Sequence, residues 1–192
     1  MYLSRAFTEE FMWNSPFSNL SQSQEKRFTY SLLIVTILVI VIMSSFDRYL
    51  TNEICGGIID FEFSKDVETA QKYMDSWGDI GRNAAGLSLG LDFLFPLLYT
   101  TFIALLVHKL NVRLWSERSF FKVGLAIIWL QFLAGLFDYV ENLGLIKLLL
   151  GATEPIWASL AYYFAAAKFL LVFVGIGYIL INFGIFLVKK RT

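Results

Sequence analysis

The chain has 192 residues, of which 57% are apolar, 17% aromatic and 17% charged, and its net charge is zero. A soluble domain carries about 25% charged residues, so the apolar excess points to a membrane protein, and the neutral balance offers no footprint for a nucleic-acid partner. One cysteine, Cys55, and one histidine, His108, leave no internal disulfide and no thiolate- or imidazole-ligated metal centre to expect, and no cofactor is indicated.

Residues 1–27 read as a cytoplasmic N-terminal segment. In residues 1–13, Leu3, Ala6, Phe7 and Phe11 fall near one helical face. Two readings stand there: a helix lying on the inner membrane surface, or a loosely ordered terminus. The Ser-, Asn- and Gln-rich stretch 14–24, with Pro16, reads as a linker.

A hydrocarbon core of about 30 Å takes roughly 20 apolar helical residues to cross. Span one, 28–46, meets this without a charge. A cleaved signal peptide is disfavoured, because the apolar run starts after residue 27 and Met43-Ser44-Ser45 is a poor cleavage site.

The loop 47–83 holds eight acids and four bases. Gly56-Gly57 signals a turn, and Ile59, Phe61 and Phe63 then alternate with Asp60 and Glu62 in a strand-like period of two. Ser64 is expected to cap a helix in which Val67, Ala70, Met74 and Trp77 recur at helical spacing until Gly78 ends it. That apolar stripe suits either a lid over a pocket or a packed cap.

Spans two, three and four follow at about 84–107, 120–150 and 157–188, with 189–192 as tail. Backbone groups in lipid must pair within their own segment, so all four spans are expected to be helices. Lys26-Arg27, the loop bases Lys109, Arg113, Arg118 and Lys122, and the tail Lys189-Lys190-Arg191 flank the spans on one side, and the acidic loop lies on the other. The positive-inside rule then puts both termini in the cytoplasm and the loop outside. The expected fold is all-α: a four-transmembrane-helix bundle, residues 28–188, with a small structured extracytoplasmic loop.

Ionisable residues inside spans are costly and turn toward the protein interior. At 100° per residue, Ala85, Ser88, Asp92, Pro96 and Tyr99 share one stripe of span two. Gln131, Ala134, Gly135, Asp138, Glu141 and Asn142 share one of span three. Ala161, Ala165, Lys168, Gly175 and Asn182 share one of span four. Each stripe mixes small residues, which let helices approach, with polar ones that bond across the gap. The helical rise puts Asp92 about 13 Å and Lys168 about 17 Å below the outer ends of their spans, and Asp138 about 27 Å from the inner end of its own. Asp92, Tyr99, Gln131, Asp138, Glu141, Asn142 and Lys168 are therefore expected to meet in the outer half of the bundle, with the Lys168 amine reaching Asp92 or Asp138. The alternative is an ion pair that only sets helix register.

LDFLFPLLY (91–99), FDYVENLGL (137–145) and the outer GIIDFEF with its Trp-ended helix resemble motifs of a group of small, uncharacterised four-span membrane proteins. That resemblance covers about three quarters of the chain. It implies the four-span layout and a joint role for Asp92, Tyr99, Asp138, Glu141 and Asn142, and it carries no activity, substrate or catalytic residue.

The sequence thus suggests a membrane protein that binds a small or lipid-like ligand, or a partner membrane protein or second copy, through the polar cluster. A proton- or cation-coupled transporter subunit is the second reading. An enzyme acting on lipids is the third and weakest. Asp138 and Glu141 share a face at i, i+3, a common spacing, and neither a phosphate-binding glycine loop nor a nucleophile with its base is present.

Overall fold

The computed structural model describes residues 14–116 and 120–191. The amphipathic reading of residues 1–13, and Glu117 and Arg118 of the basic loop, fall outside them. Among the described residues six helices follow one another: α1 (Gln22–Asp47), α2 (Ile58–Glu62), α3 (Val67–Leu91), α4 (Phe95–Trp115), α5 (Phe121–Leu149) and α6 (Pro155–Arg191). Among the described residues the only extended pairing is an isolated bridge between Thr51 and Gly56. Four helices, α1, α4, α5 and α6, are long and apolar enough to cross a bilayer.

α1 begins at Gln22, ahead of its apolar run, because Ser21 and Gln24 form a reciprocal capping box: Ser21 Oγ accepts from Gln24 N, and Gln24 Oε1 accepts from Ser21 N. It buries only Leu32, Thr36 and Val39 and lies at the edge of the assembly. α5 is its opposite. It buries residues along its whole length, from Gly124 to Leu148, between α4 and α6. At Gly144 a Cβ would stand 2.8 Å from the Trp157 carbonyl oxygen of α6, so only glycine permits that approach.

The segment expected as one helix over 84–107 is two. α3 ends at Asp92, Leu94 N closes a turn on Leu91 O, and α4 starts at Phe95. Pro96 is the cause: it has no N–H to give the Asp92 carbonyl, four residues back, and its ring crowds that carbonyl. The membrane-crossing candidate shifts accordingly to Phe95–Trp115. α3 is also kinked at Gly78, which adopts φ 60° and ψ −168°, where the loop helix was expected to end. Arg82 ties the two sides of this kink by donating to Met74 O and pairing with Asp75.

Two other loop expectations change. Asp66 caps α3, accepting from Thr69 N at 2.7 Å, while Ser64 Oγ donates to Phe61 O instead. Accepting the N–H also holds the Asp66 carboxyl below the usual carboxylate range. The Ile59–Phe63 alternation is a helical turn rather than a strand. Among the described residues no neighbouring strand pairs with it, and carboxylates take amides at and just before its start: Asp47 Oδ1 accepts from Ile58 N at 2.7 Å and Asp60 Oδ2 from Gly56 N at 2.6 Å. Gly57 makes the turn at φ 121°, where a Cβ would strike the Asp47 carboxylate.

Buried apolar residues form two cores. One joins the loop to the adjoining helix ends through Leu50, Cys55, Phe61, Met74, Trp77, Leu89, Leu145, Leu148 and Ala161. The other lies toward the chain termini and contains Leu32, Ile103, Leu105, Leu125, Ile128 and Tyr178.

Candidate functional site

Between these two cores lies a buried charged cluster. Lys168 of α6 is its centre. Its Nζ donates to Glu141 Oε1 at 2.9 Å and to Asp138 Oδ1 at 3.2 Å, both on α5. Its third ionic contact, at 3.5 Å, is Glu62 Oε2 at the end of α2. An ammonium has three hydrogens to give, and here three carboxylates surround it.

Asp138 joins the elements. Its Oδ1 accepts from Lys168 and from Asn142 Nδ2, and its Oδ2 accepts the Tyr99 hydroxyl of α4 at 2.8 Å. Asn142 has a further partner that explains its place. Its Nδ2 donates to the Asp92 backbone carbonyl at 3.3 Å, the acceptor that Pro96 leaves without its helical donor. The break between α3 and α4 and the α5 asparagine are thus one device.

Of the two partners expected for the Lys168 amine, Asp92 or Asp138, it is Asp138 that it reaches. Lys168 makes its ion pairs with Glu62, Asp138 and Glu141 and not with Asp92. Asn142 is the polar neighbour of the Asp92 side chain. Gln131 lies apart from the cluster: its Nε2 donates to Leu171 O, and its amide packs on Gly175.

Glu62 is the residue that sequence reasoning missed. In a period-two strand it would share a face with Asp60 and look outward. In a helical turn it comes onto the face of Ile58 and Ile59, while Phe61 inserts into the core edge-on to Trp77. Burial pushes the Glu62 carboxyl above the usual carboxylate range, with the Lys168 charge pulling it the other way. Four buried carboxylates around one ammonium cannot all remain ionised without further compensation, so the cluster must hold protons or admit a cation.

The cluster floors a cavity of about 330 Å³. Asp92, Glu62, Tyr99, Asp138 and Lys168 face it on one side. Met43, Ile58, Ile59, Phe95, Ile103, Phe169 and Val172 form the walls. It falls at the small end of the range of ligand pockets, roughly 300–1,000 Å³, and has their usual make-up of apolar walls and a few polar groups. Among the described residues no three His, Cys, Asp or Glu side chains are grouped to hold a metal ion. Within this cluster the Lys168 ammonium sits where the carboxylates converge.

Comparison of the chain with family models, curated proteins and solved structures finds no match, so no relative assigns a role to these residues.

A second buried polar group lies nearer the chain termini. Tyr178 Oη donates to Asn111 Oδ1 at 3.0 Å, Asn111 Nδ2 to Phe121 O at 2.9 Å, Trp115 Nε1 to Asn182 Oδ1 at 2.6 Å, and Asn182 Nδ2 to Tyr178 O at 2.8 Å. His108 and Glu25 pair at 3.4 Å beyond it.

Proposed function

We propose that this is an integral membrane protein that binds a small amphiphile in the cavity, with the polar end on the charged floor and the apolar body between Met43, Ile103 and Val172. The observation that carries this reading is the union of an apolar-walled cavity with a charged floor.

The length of the charge-free runs supports a lipid-like ligand. Residues 28–46, 93–107, 123–137 and 169–188 carry no charge and end at Asp47, Asp92, Asp138 and Lys168. The longest of these runs spans about 30 Å at the helical rise, the thickness of a hydrocarbon core. In this reading the four helices cross the bilayer with both termini in the cytoplasm, and the loop-side core stands outside as a cap. The charged floor then lies at the outer headgroup level, where an amphiphile in the outer leaflet presents its own polar end. That places the cluster nearer the boundary than the sequence-based depths do.

The other readings have less support. A partner helix would find little polar surface, since Glu62, Asp92, Asp138, Glu141, Asn142 and Lys168 are each at most 6% exposed. For ion or proton transfer, the groups described between the cluster and the termini are mostly amides, a phenol and an indole bonded to one another or to backbone carbonyls, with the His108–Glu25 pair beside them. A lipid-cleaving enzyme would have to use a floor carboxylate as nucleophile or as base for water, and Glu62, Asp138 and Glu141 are already engaged with Lys168.

Saturable binding of radiolabelled dodecanol to the protein in phosphatidylcholine nanodiscs, with empty nanodiscs subtracted, tests this. Val172→Trp and Met43→Trp, each filling the cavity from a different helix, are expected to lower binding at least tenfold with helicity and monodispersity retained. Absence of saturable binding, or binding by both variants as tight as that of the parent, overturns the reading.

A further inference from the structure

We propose that the polar end of the ligand is an ammonium group, held by Asp92 at the cavity floor, so that the site selects cationic amphiphiles over neutral and anionic ones. This inference rests on the amphiphile reading and specifies its chemistry.

The argument begins with the donors. An anionic headgroup needs hydrogen-bond donors or an uncommitted cation. The Lys168 ammonium faces Glu141, Asp138 and Glu62, and the Tyr99 hydroxyl is given to Asp138. Lys168 gives hydrogen bonds to Glu141 and Asp138 and has Glu62 at 3.5 Å, so an incoming carboxylate or phosphate would compete with three carboxylates for one ammonium. Such a group would also meet four carboxylates at close range in a poorly screened place.

The acceptors point the other way. Asp92 is 5% exposed and faces the cavity, yet it stands outside the ion pairs that Lys168 makes with the other three acids. Its backbone is fixed by the chain break at Pro96 and by Asn142. The carboxylate is thus held at the floor beside the Asn142 amide, and among the described residues no cation forms an ion pair with it. A primary ammonium placed there gains a charge-assisted hydrogen bond and supplies compensation that the one lysine of the cluster, Lys168, does not. Phe95, Tyr99 and Phe169 line the same cavity, and aromatic faces add to the attraction for a cation. The apolar walls then accept the chain that carries the amine. A lysine at the centre and an aspartate at the edge divide the work: Lys168 holds three acids of the protein together, and Asp92 is left for the ligand.

The test compares three probes of one chain length, dodecylammonium, dodecanol and dodecanoate, by saturable binding to the protein in phosphatidylcholine nanodiscs at neutral pH with empty nanodiscs subtracted. Dodecylammonium is expected to bind about tenfold or more tighter than dodecanol, the scale of one hydrogen bond to a charged group, and dodecanoate to bind more weakly than dodecanol. Asp92→Asn is expected to remove the preference for the amine, so that dodecylammonium and dodecanol bind this variant alike. Asp92→Glu, which keeps the charge, is expected to retain part of the preference and guards against a mere loss of shape. If dodecanol and dodecylammonium bind equally, protons or inorganic cations fill the charge deficit and the ammonium assignment is wrong while the amphiphile reading stands. A preference that survives Asp92→Asn also overturns the assignment. If none of the three binds saturably, the amphiphile reading itself fails.

Discussion

Two buried polar regions among the described residues can be set side by side, and they solve the same problem with different chemistry. Toward the termini, Asn111, Trp115, Tyr178 and Asn182 are neutral and satisfy one another and nearby carbonyls. Toward the loop, Lys168, Glu62, Asp138 and Glu141 are ionisable, and with Asp92 they border a cavity. A neutral network closes on itself and adds only register and modest stability. A charged one with more acids than bases lacks such closure, and the proposed ligand site rests on that imbalance.

The largest expected effect comes from taking the cation out of the loop-side region. Lys168→Met strands buried acids and is expected to cost about 3–5 kcal/mol, read as a lower midpoint in thermal unfolding of the detergent-solubilised protein. Adding Glu141→Gln should return part of the loss. A variant as stable as the parent would mean that the cluster is already neutral without its lysine.

The next effect isolates the chain break. Asn142→Ala leaves the Asp92 carbonyl without its donor, for about 1–3 kcal/mol. In a Pro96→Ala background the residue 96 amide can close on that carbonyl, so the same asparagine substitution should cost markedly less. The coupling between the two positions, measured as a double-mutant cycle, is the quantity to watch. Simple additivity would separate the break from the asparagine.

The smallest effect belongs to the neutral region. Tyr178→Phe removes one hydrogen bond to Asn111 and is expected to cost about 0.6 kcal/mol, with dodecanol and dodecylammonium binding unaltered. A change in ligand preference from this substitution would link the two regions and weaken the contrast between them.

Much of the architecture is legible in the chain. Runs of 19 or 20 residues without charge, such as 28–46 and 169–188, announce helices that can cross a bilayer. The stripes of small and polar residues correctly turn Ala161, Ala165, Lys168 and Asn182 inward on α6 and Asp138, Glu141 and Asn142 inward on α5. Pro96 was visible as well, and its missing N–H was the signal for the break that an uninterrupted 84–107 helix overlooked. Glu62 gave no such signal. In a short loop segment the period-two pattern and a single helical turn look alike, and which one forms depends on whether a strand is near enough to pair.

What the sequence determined alone is whatever follows from local composition: which stretches are greasy enough for lipid, which of their faces are polar, and which side of them is basic. Those properties depend on neighbours a few residues away, and helical geometry converts them directly into faces and lengths. Only the tertiary structure decided who pairs with whom. It gave Lys168 to Glu62, Asp138 and Glu141 and left Asp92 facing the cavity, because a side-chain amine reaches only what the packing of α2, α5 and α6 brings within about 3 Å of it.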